Sequence, residues 1–128
     1  MDFIHVSKGE DERICSAVVL QGTPPELMDN PYVDTQGEFY SMAAVQKAAI
    51  NLMEKNERVC FDVMHSEGRC FFFDVLESFV ADEDMLKWGT LVKKGAWVMT
   101  IRVNSERVWK QIKDGTLNAF SVAGTAEV

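Results

Sequence analysis

Two residues of this 128-residue chain combine a side chain suited to covalent catalysis with a setting that would leave it usable: His65 and Ser121. His65 closes a segment in which Val59, Phe61, Val63 and His65 alternate with Cys60, Asp62 and Met64, the period of a half-buried strand. An imidazole there sits at the rim of the core with one nitrogen reachable. Its plainer role is a partly buried ring bonded to backbone. Ser121 lies in Asn118-Ala119-Phe120-Ser121-Val122-Ala123-Gly124, where Phe120 and Val122 share one face and Ser121 has Ala119 and Ala123 beside it on the other. Small neighbours leave room over the hydroxyl for a substrate chain, although a strand serine needs no catalytic reason. The chemistry that would join the two is acyl transfer. A serine becomes a nucleophile when a base lies within ~3 Å and donors await the oxyanion.

The third group such a pair needs is a partner that orients the base. Glu77 is the candidate, on an alternating face with Phe71, Phe73, Val75 and Phe79, where an unpaired carboxylate would be costly. Two hairpin registers test it. A tight Glu67-Gly68 turn sets His65 opposite Cys70 and Glu77 opposite Arg58, with about 23 Å of strand between those levels. Glu77 would then pair with Arg58. A longer loop centred near Phe71 sets Glu77 opposite His65 instead. Glu127 is ~20 Å along the strand from Ser121 and is a poor alternative. The tight hairpin also offers Cys70 with His65 as a rival nucleophile pair. Against it, a free cysteine beside Phe71-Phe72-Phe73 is usually buried and inert.

These residues need elements to hold them. Ile14–Gln21 is β-prone. Gly22–Gly37 holds all three prolines and reads as a loop. Ser41–Asn56 is a helix capped by Ser41, with Val45, Ala48, Ala49, Leu52 and Met53 on one stripe. Strands are expected at 59–65 and 70–80, the pair antiparallel. Asp82-Glu83-Asp84 opens a polar connection with a helical turn through Trp88. Its acids read as a solvated turn, with recognition of basic segments as the alternative. Ala96–Val103 alternates, with Trp97, Met99, Ile101 and Val103 pointing one way. Asn104 or Ser105 caps a second helix that Asp114-Gly115 ends, and Asn118–Val128 is a last strand. The three phenylalanines and Trp88, Trp97 and Trp109 read as core. The whole is an α+β chain on a mainly antiparallel β-barrel or sheet flanked by helices, one domain over residues 1–128.

Composition narrows the function. The net charge is −7, and residues 1–64 carry 5 basic against 11 acidic groups. No basic stripe exists to neutralise phosphates, so nucleic acid is a poor partner, and so is an anionic membrane. No apolar run approaches the ~20 residues of a spanning helix, and the start lacks a signal peptide's pattern. Three cysteines without Cys-x-x-Cys suit free thiols in a reducing cytosol, and two histidines without paired spacing offer no metal site. No cofactor is expected.

A family resemblance runs through the chain from about Ser16. Val18-Val19-Leu20 is followed by Val33-Asp34-Thr35-Gln36-Gly37-Glu38, then the Ala-rich helix, Val63-Met64-His65-Ser66 and Glu77-Ser78-Phe79-Val80-Ala81 with its acidic run. Gly95-Ala96-Trp97-Val98-Met99 and Val108 to Gly115 precede Phe120-Ser121-Val122-Ala123-Gly124. In this order the segments resemble the phage prohead protease group, in particular its XkdF-like branch, similar in fold to the herpesvirus assembly protease. The resemblance implies a serine endopeptidase that trims phage scaffold and major capsid protein during head maturation, in the host cytoplasm inside the assembling prohead. His65 would be the general base, Ser121 the nucleophile and Glu77, or a carboxylate past residue 128 since related chains often continue with another strand, the orienting group, in a chain that could lack one C-terminal strand and could act as a homodimer. A non-catalytic head scaffold or interaction domain keeping the fold is the competing reading.

Overall fold

A computed structural model describes residues 3–7, 12–34, 36–55, 59–62, 70–116 and 121–122. The elements are, in order, β1 (Phe3–Val6), β2 (Ile14–Thr23), a 3-10 turn (Pro25–Leu27), β3 (Tyr40–Ser41), α1 (Met42–Lys55), β4 (Val59–Asp62), β5 (Cys70–Val80), β6 (Met85–Lys87), β7 (Thr90–Val92), β8 (Ala96–Arg102), α2 (Glu106–Lys113) and β9 (Ser121–Val122). The main sheet runs β1-β2-β8-β5-β4-β9, with β3 added parallel to the end of β2 and every other pair antiparallel. Among the described residues β1 and β9 are open ends of this path, so the structure is a sheet flanked by helices and not a closed barrel.

The order follows from what β8 can bury. Ala96, Trp97, Val98, Met99, Thr100 and Ile101 are all 0–2% exposed. A strand apolar on both faces belongs at a sheet's centre, covered on both sides. On one face Trp97, Met99 and Ile101 pack with Cys15, Ala17 and Phe73 beneath Val45, Ala49 and Leu52 of α1 and Val108, Trp109 and Ile112 of α2. On the other, Val98 packs with Ala81, Ala96 and Val92, backed by Ile4, Val18, Phe79 and Met85. Trp97 alone contributes about 2–3 kcal/mol of burial.

Helix ends form where the side chains allow. Ser41 Oγ accepts the Ala44 N–H (3.1 Å), and Ser105 Oγ accepts the Val108 N–H (3.3 Å). Gly115, at φ 82°, stands just past the end of α2.

Residues 85–92 correct the expectation of a helical turn. They form a hairpin, β6–β7, with Lys87 opposite Thr90. The two turn residues, Trp88 and Gly89, have φ of 56° and 77°, the positive values a two-residue hairpin turn demands. Met85 and Val92 face the sheet, while Leu86 and Leu91 point outward, 71% and 60% exposed. Trp88 is 47% exposed and is not a core residue, unlike Trp97 and Trp109. The acidic run Asp82–Asp84 is solvent-exposed, as expected for a turn.

One backbone contact fixes how β2 meets β8. Gly22 donates its N–H to Gly95 O (2.8 Å), and a Cβ on Gly95 would lie 2.4 Å from Gly22 O. Gly95 also has a φ of 94°. Gly95→Ala is therefore expected to destabilise the protein by more than about 2 kcal/mol, measured as a drop in the urea midpoint at unchanged m-value.

Candidate active site

Three adjacent strands carry the positions singled out by the sequence. β9 pairs with β4, placing Ser121 opposite Asp62 and Val122 opposite Phe61. β4 in turn pairs with β5, placing Asp62 opposite Cys70 and Val59 opposite Phe73. Ser121, Asp62 and Cys70 thus stand at one level across the sheet. His65, three positions after Asp62, lies outside the described residues.

That register replaces both hairpin arrangements considered from sequence. Cys70 faces Asp62 and not His65, which removes the juxtaposition on which a Cys70–His65 pair rested. Glu77 pairs with Thr100 on β8, while Arg58 and His65, the two partners weighed for it from sequence, lie outside the described residues. Seven residues of β5 separate Glu77 from the level of Cys70 and Ser121, about 23 Å of strand.

Glu77 also sits on a different face from the one its spacing suggests. β5 carries a bulge between Val75 and Glu77: Val75 pairs with Ile101, and Glu77 pairs with the next residue, Thr100. The extra residue, Leu76, breaks the two-residue alternation. Phe73 and Val75 belong to the helix-covered core, whereas Glu77 and Phe79 turn to the opposite face.

There Glu77 ends a polar chain that crosses four strands. Thr100 Oγ1 donates to Glu77 Oε1 (2.8 Å). Thr100 Oγ1 also lies 2.6 Å from Ser16 Oγ; with its own proton committed to Glu77, the Ser16 hydroxyl is the donor. Ser16 Oγ accepts from Trp88 Nε1 (2.9 Å). The Trp88 ring stacks on His5 at 4.0 Å between centroids and 6° between planes. Lys87 Nζ bonds Glu77 Oε2 at 2.9 Å and lies 5.2 Å from the Trp88 ring centroid. Ser16 and Thr100 are 0% and 2% exposed, so each hydroxyl must be satisfied inside the protein. The signal for this chain is a lone hydroxyl amid apolar residues in both Ile14–Leu20 and Ala96–Ile101. Its partners on the hairpin carry no matching pattern.

The remaining candidates are soon placed. Cys15 is buried, and desolvation pushes its thiol up to about 12, which leaves it a poor nucleophile. Among the described residues no group of His, Cys, Asp and Glu is arranged to hold a metal ion, and no helix is long and apolar enough to cross a membrane. Asp82–Asp84 line a cleft of ≈ 650 Å³ with Glu26, Tyr32 and Lys94. There Lys94 donates its N–H to Asp84 Oδ1 (2.8 Å) and its ammonium to Glu26 Oε2 (2.8 Å).

With Ser121 set opposite Asp62, the sequence of the chain places it in a recognisable class. Residues 3–128 match the family described as "Putative phage serine protease XkdF", and the chain is a member of that family. It is 31% identical over 123 residues to the phage-like element PBSX protein XkdF of Bacillus subtilis (strain 168), covering 95% of this chain and 40% of that protein. It is 38% identical over 95 residues to the uncharacterized protein YqbD of the same strain, covering 74% of this chain and 28% of that one. The chain thus spans well under half the length of these relatives. No solved structure matches it at a significant level.

The Lys87 ammonium against Glu77 holds that carboxyl below its ordinary value of 4.5, with the Thr100 hydroxyl adding to the effect and desolvation opposing it. A folded value below the unfolded one stabilises above the unfolded value and is lost as pH falls through the folded one. Glu77→Gln is expected to cost under ~1 kcal/mol near neutral pH, because the pair is partly solvated. The gap from wild type should close as pH falls below 4.5, in urea midpoints measured across the acid range.

Proposed function

We propose that this chain is the catalytic region of a phage-encoded serine endopeptidase, with Ser121 as nucleophile and His65 as general base. The observation that carries the reading is the pairing of Ser121 with Asp62. Three residues of chain reach at most about 11 Å, so His65 is tethered within that distance of the strand position facing Ser121. In the reaction, His65 takes the Ser121 hydroxyl proton as Oγ attacks the peptide carbonyl. The tetrahedral oxyanion collapses, His65 returns the proton to the leaving amine, and a water activated by the same imidazole releases the acyl group. Glu77 is given no part in this cycle, because its carboxylate is held by Lys87 and Thr100 one strand's length away.

We further propose, on the resemblance of its segments to the prohead protease group, that a homodimer of herpesvirus-protease-like fold cleaves scaffold and major capsid protein within the assembling prohead in the host cytoplasm; membership of the phage serine protease family supports the protease activity alone. A second reading, a head scaffold or interaction domain that keeps the fold without catalysis, is favoured by one observation: the carboxylate that the sequence offers as third member is engaged elsewhere.

Co-expression with the cognate scaffold and capsid proteins, read by mass spectrometry, separates the two. Ser121→Ala and His65→Ala are each expected to lower cleavage by about 10⁴-fold or more, while Glu77→Gln stays within about 3-fold of wild type. A fluorophosphonate should label Ser121. Unchanged cleavage by Ser121→Ala overturns the assignment, and no cleavage by the wild type supports the second reading.

A further inference from the structure

The β6–β7 hairpin displays apolar side chains to water. Leu86 and Leu91 stand directly opposite each other in its register and are 71% and 60% exposed. A single exposed leucine is ordinary. A cross-strand pair of them on a hairpin whose turn carries backbone strain is not. The support beneath them is fixed: Trp88 Nε1 donates to Ser16 Oγ (2.9 Å), and Lys87 Nζ bonds Glu77 Oε2 (2.9 Å). The acidic cleft lies at the foot of the same hairpin. Asp84 directly precedes β6, and its Oδ1 accepts the N–H of Lys94, two residues past β7. Glu26, Asp82, Glu83 and Asp84 line the cleft together with Lys94, Leu27 and Tyr32, and Lys93 Nζ lies 5.0 Å from the Tyr32 ring centroid. Four carboxylates thus face two ammonium groups.

We propose that the leucine pair and the cleft together dock a segment of another protein in which lysine or arginine adjoins leucine-like side chains. From Asp84 to Leu86 is about 7 Å of strand, so one short segment reaches both. The chain itself shows how the cleft holds a cation: Lys94 Nζ bonds Glu26 Oε2 at 2.8 Å, and the Tyr32 ring lies beside the Lys93 ammonium. Area and charge select this occupant over a second copy of the chain. Two leucines are far short of the about 800 Å² that each partner of a stable dimer buries. Both copies would also bring a charge of −7, which attracts a basic segment instead. The surface is separate from the proposed cleavage site. Ser121 stands at the level of Cys70, where β5 begins, and the acidic run follows the end of β5 at Val80. About 33 Å of strand lies between those levels.

A fluorescein-labelled peptide, Lys-Lys-Ser-Leu-Ser-Leu-Ser, tests this by anisotropy against the whole chain. Saturable binding with a Kd below ~200 μM is expected. Replacing its lysines by glutamate, or its leucines by serine, should each weaken binding at least about 10-fold, because the two halves of the surface act together. Leu86→Asp should weaken binding about 10-fold. Asp82→Lys combined with Glu83→Lys should turn the preference towards the glutamate peptide. All three positions are exposed, and circular dichroism checks that the variants fold. Ser121→Ala should bind as wild type does, which keeps this result distinct from the protease reading. No saturable binding, equal binding of either altered peptide, or indifference to Leu86→Asp or to the charge reversal overturns the proposal. So does concentration-dependent dimerisation that Leu86→Asp abolishes and the peptide leaves untouched.

Discussion

The fold turns on the need to satisfy one hydroxyl. Thr100 sits in the middle of the strand that both halves of the core enclose, 2% exposed. A buried hydroxyl left without partners costs about 1–3 kcal/mol. Its solution is lateral: a carboxylate from the neighbour on one side, a serine from the neighbour on the other, and an indole and an ammonium from the hairpin above. The same bonds therefore set the register of β2 and β5 against β8 and hold β6–β7 over the sheet. An all-apolar centre would pack as well but would leave the strands freer to slip.

This polar tie constrains where catalysis could be built. The carboxylate that looks most available for an active site is the one the sheet uses at its centre. The proposed nucleophile is placed at the far margin, on a two-residue strand paired to β4. Structural polarity and candidate chemistry occupy different ends of β5.

Much of the architecture is legible in the residues. The strand Cys70–Val80 and the helix capped by Ser41 are found where the patterns put them. So is the shared facing of Trp97, Met99, Ile101 and Val103, because apolar period and cap chemistry are local properties; the burial of the other face of β8 is not read from that alternation. What escapes is what one residue can displace. Leu76 adds a bulge that moves Glu77 to the other face, and nothing in Asp74-Val75-Leu76-Glu77 announces it. The hairpin escapes for a related reason. Its turn needs positive φ at both positions, and a tryptophan there argues against a turn until its partners on the sheet are seen. β1 is hidden too, a short strand given its place by β2 and by the stacking of His5. For the candidate site, the residue types are readable but the cross-strand level of Ser121 is not, since pairing between β4 and β9 joins positions some sixty apart.

Trp88 has a consequence for the order in which the molecule assembles. A bulky side chain in the left-handed region costs of order 1–3 kcal/mol, so the hairpin is a poor structure alone. The Ser16 bond and the His5 stack offset that cost, and both partners belong to the first two strands of the chain. β1 and β2 can pair as soon as both have left the ribosome. The face that will receive the indole then waits for the 65 residues from the end of β2 at Thr23 to Trp88 to be made. The hairpin turn therefore gains its support only where β1 and β2 have already paired.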